Sequence, residues 1–144
     1  MSAVMEAARG FIGVPWRHRG RNRLGIDCAG LCWAAYHAAG VTLPDYRLYG
    51  REPHRDGLVT HTAAALGEPV MVAPVDAGAM MPGDVLVMRF TLEPHHMGVV
   101  GVRDYGGTQA LTLIHADGDV GRVHEQRITP DMVARITHVF RRPV

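Results

Sequence analysis

Five short apolar segments crowd the C-terminal half of this chain: Val85–Phe90, Met97–Val102, Ala110–His115, Val120–Ile128 and Ile136–Arg141. Each has the length and the β-branched content of a strand, and turn clusters separate them, with Pro94, then DYGG at 104–107, then DGD at 117–119. Connections that short join antiparallel neighbours, so the pattern predicts a five-stranded antiparallel sheet. Thr129-Pro130-Asp131 predicts a helical turn or two before the last strand, with a side-chain cap and proline at the first position.

The N-terminal half reads differently. Ser2 can cap a short helix that puts Val4, Ala7, Ala8 and Phe11 on one face, and Gly10, Gly13 and Pro15 end it. After the polar loop WRHRGRNRLG, Asp27 is a suitable cap for a second helix, CAGLCWAAYHAA, stopped at Gly40. Its face of Leu31, Cys32, Ala35 and Ala39 is made mostly of small residues and suits close packing on a sheet. Residues 41–82 carry five prolines and one helical stretch at 58–66, and predict a long, mostly irregular surface insertion. Helices first and strands later make the class α+β, in a single domain spanning 1–144.

Composition removes several function classes. Hydrophobic residues make up 47% and charged residues 20%, as in an ordinary globular domain. A net charge of +1 gives no bulk electrostatic case for nucleic acid. No apolar run approaches the ~20 residues of a membrane span, and Glu6 and Arg9 interrupt the opening segment where a signal peptide would be apolar. All 15 basic residues are arginine, which reads as compositional bias. No HExxH, CxxC or compact His/Cys spacing is present, so neither metal nor cofactor is expected.

The two cysteines, Cys28 and Cys32, stand one helical turn apart and close almost no loop. Cys28 occupies a helix start, where partial positive charge and unpaired N–H groups favour the thiolate and can bind an oxyanion. Small Ala29 and Gly30 beside it leave that end open. The alternative is a buried structural cysteine, the commoner fate of the residue, which suits Cys32 better. A nucleophilic thiol needs a histidine base and a third group to orient it. His95 and His96 open one strand and His115 ends the next. Among the nine histidines the others read as surface or core residues.

These residues together resemble the NlpC-type cell-wall peptidases, a branch of the papain-like cysteine peptidases. WRHRGRNRLGIDCAGLCWAAYHAAG resembles the family's aromatic loop followed by Asp-Cys-x-Gly-Leu at a helix start. MPGDVLVMRF, PHHMGVVG and LIHADGDVGRVHE resemble its later strands in the same order. The resemblance implies a papain-like fold, with the nucleophile helix packed on the sheet. It also implies Cys28 as nucleophile, His96 rather than His95 as base and His115 as the group orienting it. Trp16, Asp27, Arg17 and Arg19 become candidates for oxyanion or substrate contacts. Trp16 stands where the family usually has tyrosine, Arg19-Gly20 replaces Gly-Gly, and Ala29 replaces serine.

The implied substrate is the peptidoglycan stem peptide, typically cut between D-glutamate and diaminopimelate. VPWRH and the ending THVFRRP look most like the peptidases of phage tails and gene-transfer particles. That likeness implies other tail-tip proteins as partners, and a virion tail acting in the periplasm or cell wall as the location. Two other readings stay open: a catalytically silent tail-tip protein of the same fold, and a thiol acyltransferase.

Overall fold

The computed structural model describes residues 2–50, 57–89 and 94–144. Phe90, the end of the first expected strand, and Pro53 and His54 of the expected insertion lie outside them.

Helix α1 (Ala3–Arg9) begins where the Ser2 hydroxyl accepts from the Met5 amide, and it buries Val4, Met5 and Ala8. A small hairpin, β1 (Arg21–Asn22) and β2 (Gly25–Ile26), leads into α2 (Cys28–Ala38). Then come α3 (Leu58–Leu66), β3 (Met71–Val72), a 3-10 turn at Ala77–Ala79, and β4 (Val85–Arg89). The remaining elements are β5 (Pro94–Tyr105), β6 (Thr108–Asp117), β7 (Arg122–Arg127), α4 (Pro130–Arg135) and β8 (Ile136–Phe140).

The main sheet has six strands in the order β3-β8-β4-β5-β6-β7, every neighbouring pair antiparallel. One strand more than expected is present because Met71 and Val72 pair with Val139 and His138 at the edge. Two residues between Pro69 and Pro74 are too few to show an alternation in sequence. The DYGG turn closes β5 onto β6 with Gly106 and Gly107 between the paired Tyr105 and Thr108. Both glycines have positive φ, 65° and 92°, which a two-residue hairpin of this hand requires.

Strand β4 is buried on both sides, which is why its sequence is a continuous apolar run. Val85 and Val87 join Met97, Val99, Ile114 and Ala116 on the face that receives α1 and α2. Leu86, Met88, Val100, Leu113, Ile136 and Val139 form a second core with Met80 on the opposite face. Leu31, Cys32 and Ala35 of α2 are almost wholly buried against the first face.

Close packing at the start of α2 depends on Gly30. A Cβ there would land on the Gly20 carbonyl and crowd the Arg21 guanidinium and the Asp27 carboxylate. The backbone of the polar loop is therefore pressed directly onto the helix. That loop is fastened on its other side to the sheet edge. The Trp16 amide donates to the Gly121 carbonyl, and Gly13 and Val14 exchange backbone bonds with Val123.

The expected surface insertion at 41–82 needs correction. Residues 41–50 are irregular, as expected, but Leu43 and Tyr49 are buried, and Thr62 and Leu66 of α3 are buried too. The segment folds back over the start of α2 and walls one side of a cavity. Proline-rich sequence hid this, because the burial comes from isolated side chains with no period.

Candidate active site

A cavity of about 280 Å³ opens where α2 begins. Cys28, His96, Trp16 and Asp27 all line it, alongside His18 and His95. Trp33, Leu43, Leu58 and Leu66 supply an apolar wall, and Tyr46 stacked on His61 closes another side.

Asp27 is the hub of the helix start. Its carboxylate accepts from the Gly30 amide at 2.8 Å, the Arg19 amide at 2.8 Å and Arg21 Nη1 at 3.0 Å, and it receives the Tyr49 hydroxyl. Arg21 extends the network, since its Nε donates to Asp45 Oδ1 at 2.9 Å. Burial opposes the Arg21 charge, but the Asp45 hydrogen bond and the nearby negative groups outweigh it and hold its pKa above the ordinary value. Burial and the Asp27 charge push the Tyr49 hydroxyl far up, so it remains a donor. Asp27 thus spends its lone pairs on the scaffold, although it borders the cavity.

The two candidate arginines sit elsewhere. Arg17 and Arg19 are exposed and do not line the cavity. Arg19 adopts φ 61° and its Nε donates to the Tyr49 carbonyl at 2.9 Å, fastening the loop to the 41–50 segment. Arg21, one member of the same basic run, is the arginine that turns inward. Nothing in the spacing marks it, because its partners Asp45 and Tyr49 are more than 20 residues away.

On the sheet side a chain of rings ends in an amide. His96 Nε2 lies 2.7 Å from His115 Nδ1, and His115 Nε2 lies 2.8 Å from Gln126 Oε1. Gln126 turns its other amide atom, Nε2, to the Met132 sulfur at 3.6 Å. An oxygen on Gln126 can only accept, so His115 carries its proton on Nε2 and offers the Nδ1 lone pair. His96 then carries its proton on Nε2, which assigns the lone pair to its Nδ1. The sequence reading names His96 and His115, which the structure brings into contact, and does not name Gln126. Its signal is positional only: β7 pairs with β6, and the 124–126 alternation returns Gln126 to the His115 face.

The electrostatics depart from the helix-start expectation. The Met97 and Ala29 amides do lower the Cys28 pKa, as donors to a sulfur should. Burial is the larger effect, helped by the Asp27 charge, and it pushes the thiol up to about 12. Burial likewise brings His96 down to about 3, with His115 adding to the effect. Both shifts act against a thiolate–imidazolium ion pair.

This burial has a consequence for stability. A histidine whose folded pKa lies below its ordinary value favours folding fully above about pH 6.5, and that contribution is lost as pH falls toward the folded value. His96 and His115 are both lowered, chiefly by burial. Each then removes up to about 1.4 kcal/mol per pH unit once the unfolded chain begins to take up protons. Asp45 and Glu125 are held low against the effect of burial by their arginine hydrogen bonds, and act only at lower pH. The melting temperature is expected to be level between about pH 7 and 8 and to decline below about pH 6.5, well before carboxylates titrate. A scan by circular dichroism that stays flat down to pH 5 would contradict it.

With the fold and this constellation in place, the chain belongs to the NlpC/P60 family, whose model matches residues 13–142. Members of the family are cysteine peptidases that hydrolyse peptidoglycan. A 40-residue stretch is 45% identical to the dipeptidyl-peptidase 6 of Lysinibacillus sphaericus, covering 28% of this chain and 15% of that protein. Among solved structures, an NlpC/P60 family protein from Bacillus cereus superposes with a TM-score of 0.61 at 19% identity. That match covers 96% of this chain and 39% of the other. The NlpC/P60 domain of the peptidoglycan hydrolase SagA gives 0.56 at 19% identity, with 96% of both chains covered. This chain thus spans a small part of the Lysinibacillus protein and about two fifths of the Bacillus one, and matches the SagA domain along nearly its whole length. No helix among the described residues is long and apolar enough to cross a membrane.

Proposed function

We propose that this protein is a cysteine peptidase that hydrolyses peptidoglycan stem peptides, with Cys28 as nucleophile, His96 as base and His115 as the residue that orients it. The observation that carries the reading is the ordered chain Gln126–His115–His96, which leaves a lone pair on His96 Nδ1 in a cavity shared with Cys28. As Cys28 Sγ attacks the peptide carbonyl carbon, its proton passes to His96 Nδ1. The oxyanion takes N–H donors at the start of α2, and the indole N–H of Trp16 is a further donor on the cavity wall. His96 returns the proton to the departing amine. Water then attacks the thioester, with His96 again as base, and frees the carboxylic acid and the thiol.

The bond we propose is D-glutamyl–diaminopimelate, in a phage tail or tail-like particle that meets the wall from outside the cell. Two features support an anionic peptide. Arg17 is exposed between the cavity-lining Trp16 and His18, and arginine pairs well with carboxylates. The two carboxylates that line the cavity, Asp27 and Asp45, both hold Arg21 and are not the free acid–base pair of a glycosidase, which favours a peptide over a sugar.

Purified protein is therefore expected to release peptide fragments from Gram-negative sacculi, with the sugar strands intact and mass spectrometry placing the cut on the amino side of diaminopimelate. Sugar products, or cleavage confined to the lactyl amide, would sink the bond assignment. No release from protein that still assembles into particles would favour a silent structural role.

A further inference from the structure

His115 has a second set of neighbours, on the side away from the cavity. β6 and β7 pair with His115 opposite His124, and Asp117 follows two residues along β6. All three therefore share one face of the hairpin. One ligand-type atom from each lies within 4.8 Å of the other two, the only such group among the described residues. His124 Nε2 is 3.1 Å from Asp117 Oδ2, and the rings of His115 and His124 are 4.6 Å apart. His115 is buried, but the side chains of Asp117 and His124 are about a quarter exposed, and none of the three lines the cavity. A solvated ion can reach the cluster without entering the substrate site.

We propose that His115, Asp117 and His124 bind a zinc-class divalent cation, and that occupation switches the peptidase off. Two imidazoles and a carboxylate suit zinc better than the hard cations magnesium and calcium, which prefer all-oxygen donors. The partly exposed side chains of Asp117 and His124 supply the small contraction that bonds of about 2.0–2.2 Å require. His115 Nδ1 is engaged by His96, so Nε2 is the nitrogen that ligates, and the cation competes there with Gln126.

The switch follows from counting protons. The metal takes the Nε2 lone pair of a neutral His115, whose proton then sits on Nδ1. Nδ1–H donates to His96 Nε2, so the His96 proton moves to its own Nδ1. Each ring keeps one proton and only the tautomers change. His96 now points a donor at the cavity and cannot accept the thiol proton. In serine hydrolases a base fixed in the wrong tautomer costs about 10⁴ in rate. The sequence conceals this cluster because its members meet only across the β6–β7 turn.

The switching half rests on the proposed peptidase function; the binding half does not. Titration calorimetry with zinc chloride on the full chain carrying Cys28→Ala, which removes the competing thiol, should show one site per chain. Adding Asp117→Asn or His124→Asn should weaken it about tenfold or more. In the ¹⁵N-labelled protein, zinc should move the His96 proton from Nε2 to Nδ1. Zinc should also inhibit sacculus hydrolysis by the unmodified chain, reversibly with EDTA, while Asp117→Asn and His124→Asn made in the chain that keeps Cys28 require about tenfold more. Unchanged zinc affinity in both variants overturns the site. Equal inhibition of the unmodified chain and both variants overturns the switch and places the inhibitory metal on Cys28 and His96. If sacculi are not hydrolysed at all, the peptidase reading fails, while calorimetry and the ¹⁵N shifts still decide the metal site.

Discussion

Cys28→Ala is expected to reduce hydrolysis of sacculi by about 10⁴-fold or more, and His96→Ala by a similar factor, with the double variant no worse than either. Nucleophile and base act as one unit, so removing the second gains nothing once the first is gone. The site geometry sets the ranking below them. His115 touches His96 and reaches the cavity only through it, so His115→Ala should retain measurable turnover. Trp16→Tyr keeps an aromatic donor on the cavity wall and should be tolerated. Cys28 lies partly open at the cavity and its side chain is small, so Cys28→Ala should fold normally, and unchanged near-ultraviolet circular dichroism would establish that. Undiminished activity in Cys28→Ala would end the mechanism; additive losses in the double variant would mean that His96 acts separately from the thiol.

The resting charge state separates this prediction from the simplest sequence argument. A helix start favours thiolate, and read alone the Asp27-Cys28-Ala29-Gly30 run suggests an ion pair with histidine. The structure places the sulfur deep enough for burial to exceed the help of the Ala29 and Met97 amides. Local sequence reports the dipole of its own helix. It does not report how much protein the β5 strand and the 41–50 segment bring around the sulfur.

The same division runs through the rest of the molecule. Caps were legible: Ser2, Asp27 and Thr129 each accept the backbone bond their residue type predicts. So were the five central strands and the helix at 58–66, because period and turn residues are local properties. What sequence concealed is mostly what long-range pairing creates. β3 gains its status from β8, and Gln126 joins the histidine chain only through the β6–β7 register. Arg21 is set apart from Arg17, Arg19 and Arg23 by its side-chain pair with Asp27 and by Asp45 and Tyr49, which arrive from a segment with no periodic signal. The family resemblance supplied the order of the site residues along the chain, while the wall opposite them had to be seen.

Asp27→Ala tests whether that wall is held by one carboxylate. The residue is 4% exposed, as is fitting for a group with four donors around it, and Arg21 beside it is 9% exposed. Removing the carboxylate would strip Arg21 of one of its two carboxylate partners and leave the Tyr49 hydroxyl and the Gly30 and Arg19 amides without their acceptor. Breaking a buried pair from one side typically costs about 3–5 kcal/mol, because the partner charge stays buried. For a chain of this length that corresponds to a melting temperature lower by roughly 10 °C or more. Tyr49→Phe deletes a single donor, keeps the ring, and should cost only about 1–2 kcal/mol. The two residues share one bond, so the loss in the double variant should fall short of the sum of the single losses. Asp27→Asn preserves shape but not charge, and its stability should lie between the wild type and Asp27→Ala. Because the same carboxylate caps α2, the alanine variant should lose turnover beyond what its unfolded fraction explains. Thermal unfolding of the four variants, each with sacculus hydrolysis measured well below its midpoint, decides the matter. An Asp27→Ala protein as stable as the wild type would show that the 41–50 wall and the polar loop are held by their other contacts, and that the carboxylate is available to substrate.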